Sequence, residues 1–268
     1  MPIADYDEYV RLLSLNRTAD FQMAAPASIT VRPAAMWRRF VPAPAIPTTS
    51  VALDKSSDVA IGPIPDSSTG QLAILGGRLN TGDTAGVSLT IIDLLNHSGG
   101  LNGTLTGEQT TNLPTAALTR HTSGEGVMIG LIVYTQIGNT ATTVTVRYTN
   151  QAGTANRVST AIQLGGSGYR EHNRLILIPL EAGDTGVRSV EGVTLAATTA
   201  AAGNFGVVLF KPLTVFALEN TTGTMPIDAV TGGMVGALAP FDDDACLTCM
   251  AITRINQTVN GAILLGEV

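Results

Sequence analysis

Alternation of apolar and polar residues with a period of two is the feature that most constrains how this chain can fold. It is clearest where Val144, Val146 and Tyr148 fall on one face of a single extended segment. Threonine and valine dominate such segments, and their β-branched side chains suit a pleated sheet. Because no amphipathic helical pattern separates the segments after Gln71, we predict an all-β domain, an antiparallel β-sandwich or jelly roll.

Candidate strands follow one another at intervals of about 10–15 residues and are separated by turns rich in Gly, Asn, Asp and Thr. They cover residues 72–75, 87–94, 127–134, 142–149, 158–164, 174–179, 187–196, 206–209, 214–217, 245–254 and 262–265.

The first 70 residues differ from the remainder of the chain. Residues 4–16 have near-helical apolar spacing, with carboxylates in the first turn, and predict one short helix. Residues 24–65 are rich in proline, which removes hydrogen-bond donors and disfavours continuous helix. We therefore expect an extended, weakly self-packed arm over residues 1–70 and a β-sandwich domain over 71–268, whose Gly-rich segment 221–240 predicts neither strand nor helix.

Trp37, Arg38, Arg39 and Phe40 form the one aromatic and basic cluster of the sequence and include its single tryptophan. Tryptophan and arginine are enriched at the energetic centres of protein interfaces. The cluster is a candidate partner-binding site on a neighbouring subunit. The alternative is that Trp37 and Phe40 cover the chain's own core while the two arginines are solvated.

Composition limits the classes of partner. Charged residues make up only 13% of the chain, against about 25% in an average soluble domain, so we expect neighbouring subunits to cover much of the surface, as in a homo-oligomer. The net charge of −6 and the pI near 5.0 argue against direct nucleic-acid binding. We expect no membrane span, because no apolar run approaches the required length, and synthesis inside the cell, because the start MPIADYDEYVRLL lacks a secretory pattern.

The sequence contains no recognisable catalytic constellation. His97, His121 and His172 are isolated from one another, and no metal-binding spacing connects them. The run Gly-Gly-Ser-Gly at 165–168 departs from the G-x-S-x-G nucleophile motif at Tyr169. Since phosphate-binding and dinucleotide-binding motifs are missing as well, we expect no enzyme and no cofactor.

Two short polar motifs have alternative interpretations. Cys246 and Cys249 lack the further ligands that a structural zinc site needs, so we expect core thiols, with a redox role as the alternative. Asp242, Asp243 and Asp244 could bind calcium, but they lack the regular loop of an EF-hand and favour a solvated turn. No metal site is therefore predicted.

Three segments in the middle of the chain are distinctive: LTRHTSGEGV, TTVTVRYTNQAGTANR and GGSGYREHNRLILIPLEAGDTGVRSVEGVTLAATTAAAGNFGVVLFKPL. They resemble structural proteins of tailed bacteriophages that are encoded among virion genes, and the likeness extends over residues 72–213. The resemblance implies a capsid decoration or cement protein with a β-sandwich and an ordering arm. Its implied partners are the major capsid protein or other virion subunits, and its implied location is the virion, after synthesis in the bacterial host cytoplasm.

Two other functional classes remain open from the sequence. A host-facing carbohydrate-binding or adhesion module of a fibre or tail would be favoured if Tyr134, Tyr148 and Tyr169 lined one groove, although aromatic residues total only 4%. A hydrolase would require a deep pocket holding carboxylates with perturbed pKa values.

Overall fold

The computed structural model describes residues 10, 18–23, 32–40, 42–68, 70–81, 87–218, 224–228, 240–252 and 258–267. Within these ranges the chain forms strands and one short 3-10 helix, Met36–Arg39, and Val10 is in a helical conformation. The predicted helix over residues 4–16 lies, apart from Val10, outside the described residues.

The strands run in chain order as β1 Thr18–Met23, β2 Pro33–Ala35, β3 Val51–Ala52, β4 Gln71–Thr81, β5 Val87–His97, β6 Met128–Thr135, β7 Thr142–Asn150, β8 Arg157–Val158, β9 Ile162–Leu164, β10 Leu175–Leu177, β11 Val187–Leu195, β12 Asn204–Leu218, β13 Thr224–Asp228, β14 Phe241–Asp242, β15 Leu247–Ile252 and β16 Val259–Glu267.

These strands form three antiparallel sheets. The central sheet has seven strands in the order β10-β6-β12-β5-β15-β2, with β3 added to β5. The terminal sheet has five strands in the order β1-β16-β4-β13, with β14 added to β4, and so unites the two ends of the chain. The lateral sheet has four strands in the order β11-β7-β8, with β9 added to β7. The predicted all-β antiparallel sandwich is confirmed.

The central sheet is buried on both faces. Along β6, Ile132 and Tyr134 belong to a core shared with the terminal sheet, whereas Ile129, Leu131 and Val133 belong to a second core shared with the lateral sheet. Successive side chains of a strand point to opposite faces, so one apolar run supplies both cores. Residues 129–134 are all apolar except for Gly130. This is therefore the sequence pattern of a strand that is buried on both faces.

The central sheet curls until its two end strands meet. The amide of Ala35 in β2 donates a 3.0 Å hydrogen bond to the carbonyl of Asn173, next to β10, and Ala34 forms an isolated antiparallel bridge with Arg174. A sheet that closes in this way leaves fewer unpaired backbone groups at its edges. Residues 33–35 thus complete the central sheet.

Most predicted strands lie within observed ones, and two differences have a local cause. The segments predicted at 206–209 and 214–217 form one continuous strand, β12, because Pro212 lies next to a register shift against β5 that tolerates its missing donor. The segment predicted at 158–164 is divided into β8 and β9. Ser159 interrupts it, since its Oγ accepts the amide of Val146 at 2.9 Å and its own amide donates to the Val146 carbonyl.

The described parts of the predicted arm are paired within the chain. β1 pairs with β16 along its whole length, β2 pairs with β15, and β3 pairs with β5. Alternation in β1 places Phe21 and Met23 in the core, which explains why this segment packs on its own domain. In the Gly-rich segment 221–240, residues 224–228 form β13, and most of the others lie outside the described residues.

Burial of the central sheet can be tested with matched valines of β12. Val208 has no exposed surface, whereas Val215 is 46% exposed. We expect Val208→Ala to lower the free energy of unfolding by about 2 kcal/mol, because it removes buried methyl groups and leaves a cavity. Val215→Ala should change it by less than about 0.5 kcal/mol. Denaturant unfolding of both variants measures the difference. Equal losses in the free energy of unfolding would contradict the burial of the central sheet between the terminal and lateral sheets.

Candidate partner-binding site

The predicted site lies on the 3-10 turn Met36–Arg39, immediately after β2. Trp37 has no exposed surface and packs in the core shared by the central and terminal sheets. Its indole N–H has no hydrogen-bond partner within the described residues. In this conformation Trp37 offers nothing to a partner subunit, and its place corresponds to the alternative interpretation, that it covers the chain's own core.

Arg38 is also used inside the molecule. Its Nη1 donates to the carbonyls of Pro44 and Ala45, at 2.5 and 3.0 Å, and its guanidinium lies 5.3 Å from the centre of the Tyr134 ring. Burial lowers the pKa of Arg38, while Tyr134 and Asp58 oppose that change. This arginine therefore joins the turn to the proline-rich segment that follows it.

Arg39 differs from its neighbour. Its side chain is partly buried, and burial alone lowers the pKa of Arg39 to about 10. Among the described residues its Nε has no acceptor, and no acidic group forms an ion pair with it. A partly desolvated guanidinium without a counter-charge favours a carboxylate or carbonyl supplied from outside the chain.

Phe40 borders an open groove of about 420 Å³ beside β1, here called the β1 groove. One wall is Asp20–Gln22 of β1, and the other walls are formed by residues 42–44 and 60–62 together with Asp58. At the end of β1 the groove closes where Met23 forms an isolated bridge with Phe40. Of the four predicted residues, Phe40 is the one that lines this groove.

Strand β1 lies at the edge of the terminal sheet, since β16 is its one strand neighbour in the sheet order. Thr18, Asp20 and Gln22 alternate with the buried Ala19, Phe21 and Met23. The sequence analysis overlooked this segment, although the same alternation is visible in Thr-Ala-Asp-Phe-Gln-Met. An edge strand with a groove along it is suited to pairing with an additional extended segment.

The most deeply buried charged group of the described chain is Asp93 in β5. Its two oxygens accept a fork of hydrogen bonds from Arg120, at 2.8 and 3.1 Å, and it also accepts the amide of Cys246 at 3.0 Å. Arg120 donates further to the carbonyl of Leu53. Burial raises the pKa of Asp93, but His121 and Arg120 outweigh it and hold the net pKa below its usual value. The pair joins four chain segments, those around Leu53, Asp93, Arg120 and Cys246, so its role is structural.

A second polar cluster stabilises the lateral sheet. Asp184 accepts hydrogen bonds from Tyr148, Asn150 and Arg157, at 2.7, 2.7 and 2.9 Å. The hydrogen bonds from Arg157 and Tyr148 lower the pKa of Asp184 to about 2, while burial raises the pKa of Tyr148 to about 12. The Tyr148 hydroxyl also accepts the amide of Glu181. Because every member has a partner within the cluster, the perturbed pKa values reflect a structural network.

The remaining candidates of the sequence analysis do not converge on one site. Tyr134 and Tyr148 are buried in different cores, on opposite sides of the central sheet, and Tyr169 stacks on Arg32, 4.0 Å from the ring centre. The tyrosine groove that would favour carbohydrate stacking is therefore not formed. The histidines are equally separate: His97 is buried between β3 and β12, and His172 Nδ1 contacts the carbonyl of Tyr134.

The two cysteines are buried and unbonded, and burial raises the pKa of both thiols. Cys249 Sγ lies 3.6 Å from the sulfur of Met23. These are core thiols in an apolar setting, which disfavours the reactive thiolate.

The acidic turn is joined to neighbouring segments. Asp243 accepts the amide of Ser67 at 2.7 Å, Asp242 accepts the amide of Asp244 at 2.9 Å, and Asp244 lies 3.3 Å from Lys55 Nζ. One carboxylate oxygen from each of the three residues lies within 4.8 Å of the other two, so the turn is held by hydrogen bonds while its acidic groups stay clustered.

No protein-family model and no curated protein matches this chain. Among solved structures, the VP2 subviral particle of infectious bursal disease virus aligns over 94% of this chain and 80% of that chain, with 10% identity and a TM-score of 0.18. T=1 particles derived from the same virus align over 97% and 83%, with 10% identity and a TM-score of 0.17. Superpositions at these scores do not establish a common fold. Within the described residues, no helix has the length and apolarity to cross a membrane.

Because Asp93 is the counter-charge of the buried Arg120, its replacement by the neutral analogue asparagine should strongly destabilise the fold. Asp93→Asn leaves the buried Arg120 without its counter-charge, and we expect a loss of about 3–5 kcal/mol in the free energy of unfolding. The matched control is Glu108→Gln, which breaks the exposed ion pair with Arg147 and should leave the unfolding midpoint almost unchanged. Chemical denaturation of both variants checks this; similar behaviour of the two would refute the role assigned to Asp93.

The buried His97 predicts a loss of stability in mild acid. Burial lowers the pKa of His97 from 6.5 to about 4, with Arg38 adding to the effect and Asp58 opposing it. Between these two pH values the unfolded chain binds the proton and the folded chain does not, so stability falls as pH falls through this window. His97→Gln should flatten the plot of unfolding midpoint against pH from 6.5 to 4. An unchanged slope would show that another group is responsible.

Proposed function

We propose that the protein is a non-enzymatic structural subunit of a virion and that it assembles through its β1 groove. The observation that supports this most directly is the edge strand β1 with an open groove of about 420 Å³ along it. By contrast, Asp93 and Asp184, two acidic groups whose pKa values are lowered, are each engaged in internal hydrogen bonds. The resemblance of residues 72–213 to phage virion proteins agrees with an assembly role.

The β1 groove fits one extended segment of a neighbouring subunit. Such a segment would hydrogen-bond to the backbone of β1 and place alternate side chains towards Phe40 and Ile61, which line the groove. Backbone pairing supplies affinity and the side chains fix the register. Arg39, which is adjacent to Phe40 and has no acidic partner among the described residues, would bind a carboxylate of the same neighbour.

The finer assignment is a capsid-associated decoration or cement protein. Its partners would be the major capsid protein and further copies of itself, and an extended segment of a neighbour would occupy the β1 groove, because strands β1, β2 and β3 are already paired within their own chain. Many weak contacts of this kind stabilise a shell because linked sites raise the effective concentration of one another. The proposed location is the virion, after synthesis in the bacterial cytoplasm.

Particle association is tested directly on particles purified by density gradient from the producing host. We expect quantitative mass spectrometry to find the protein at a fixed ratio to the major shell subunit. Recovery of the protein only in the soluble fraction would refute the virion assignment and reopen the search for an enzyme.

A substitution that blocks the β1 groove should weaken assembly and leave folding unchanged. Ala43 is exposed and lines the β1 groove, so Ala43→Trp fills the groove without altering the core. We expect at least about a tenfold loss of binding to particles, since a few buried contacts dominate most interfaces. Ala155→Trp adds the same side chain at an exposed position in the turn after β7 and serves as control. Equal binding of the two variants would exclude the groove as the contact surface.

A further inference from the structure

The outer face of the terminal sheet contains a second groove, of about 380 Å³. Its lining includes the side chains of Asp20, Arg78, Asn80 and Asn260, all of which are exposed. This groove lies over the sheet face, whereas the β1 groove lies along the sheet edge. It is here called the face groove.

Strand register fixes the positions of these four residues. Asp20, Ala262 and Arg78 are direct neighbours across β1, β16 and β4, and in the next outward row Asn260 pairs with Asn80. Adjacent strands lie about 4.8 Å apart, so the backbones of Asp20 and Arg78 are about 10 Å apart. The small Ala262 between them leaves the space open.

No counter-charge pairs with Asp20 or Arg78 among the residues that the structure describes. Within the described part of the chain, the side chains of Asp20, Arg78, Asn80 and Asn260 form no hydrogen bond or ion pair. Arg78 is a donor in a planar fork, Asp20 is an acceptor, and each amide is both. The groove therefore presents donors and acceptors at fixed positions on three paired strands.

We propose that the face groove binds a carboxylated saccharide, such as a chain of uronic acid residues. The guanidinium of Arg78 would bind the sugar carboxylate in a bidentate manner, and Asp20, Asn80 and Asn260 would bind hydroxyl groups. A hydroxyl both donates and accepts, so it satisfies a carboxylate and an amide equally well.

The shape of the groove favours a saccharide over an acidic peptide. An extended peptide gains most of its affinity from backbone pairing at a sheet edge, and the face groove lies over strands β16 and β4, which are already paired on both sides. An acidic peptide could use Arg78, but glutamate side chains carry no hydroxyl group that could donate a hydrogen bond to Asp20. A carboxylated sugar uses both.

The test employs oligogalacturonate, its methyl ester and hexaglutamate as probes for titration calorimetry on the full chain. We expect oligogalacturonate to bind, and methyl esterification to weaken binding at least about tenfold by removing the charge that Arg78 recognises. Arg78→Gln should weaken binding of oligogalacturonate by a similar factor, and Asn80→Ala should weaken both sugar probes. Neither residue lines the β1 groove, so these variants leave particle binding unchanged.

Asn139→Ala is the matched control, because Asn139 is an exposed asparagine outside the face groove, and thermal unfolding of each variant verifies that it is folded. Equal binding of the ester and the acid would overturn the role of Arg78. Preference for hexaglutamate would replace the saccharide by an acidic peptide, and failure of all three probes would refute the site. None of these outcomes affects the virion assignment, which particle association decides.

Discussion

Burial of the central sheet on both faces is the constraint on which the remaining structure depends. A sheet in that position needs apolar side chains at nearly every position, and β6 and β12 supply them at Ile129–Tyr134 and Phe205–Phe210. The two cores it creates require covering sheets, one from the chain termini and one from residues 142–195. Few positions are then left for charged residues, which accounts for their low proportion in the chain. The buried carboxylate of Asp93 in the central sheet is tolerated because Arg120 and a backbone amide donate hydrogen bonds to it.

The sequence predicts where the strands of this domain lie better than it predicts which strands pair with one another. Alternation at Val144, Val146 and Tyr148 predicts β7 and its buried face because that face depends on local periodicity alone. It cannot show that Ala34 closes the central sheet against Arg174, since two short segments far apart in sequence leave no shared pattern. Trp37 illustrates the same limit. A tryptophan beside arginines has one composition whether it faces a neighbour or its own core, and only the fold places it in the core.

The candidate sites differ in the same way, because some follow from short sequence motifs and others depend on strand order. The acidic turn at 242–244 and the core thiols follow from short motifs and their residue types. The β1 groove and the face groove depend on strand order, which brings Asp20 of the first strand beside Asn260 of the last and Arg78 of the fourth. Polar residues that line these grooves look like ordinary surface residues in the sequence. Their significance comes from the register, which gathers donors and acceptors that are otherwise scattered along the chain.

Pairing of the first strand with the last also determines when the protein can mature. While the ribosome is at work, β1 has no partner strand until β16 has emerged, because the two strands lie far apart along the chain. Residues 33–35 must likewise wait for β15 before the central sheet can close. Contacts between distant segments form late and slowly. The edge of β1 that pairs with β16 is therefore exposed until β16 has been synthesised, so a chain that stops before β16 cannot complete the terminal sheet beside which the β1 groove lies.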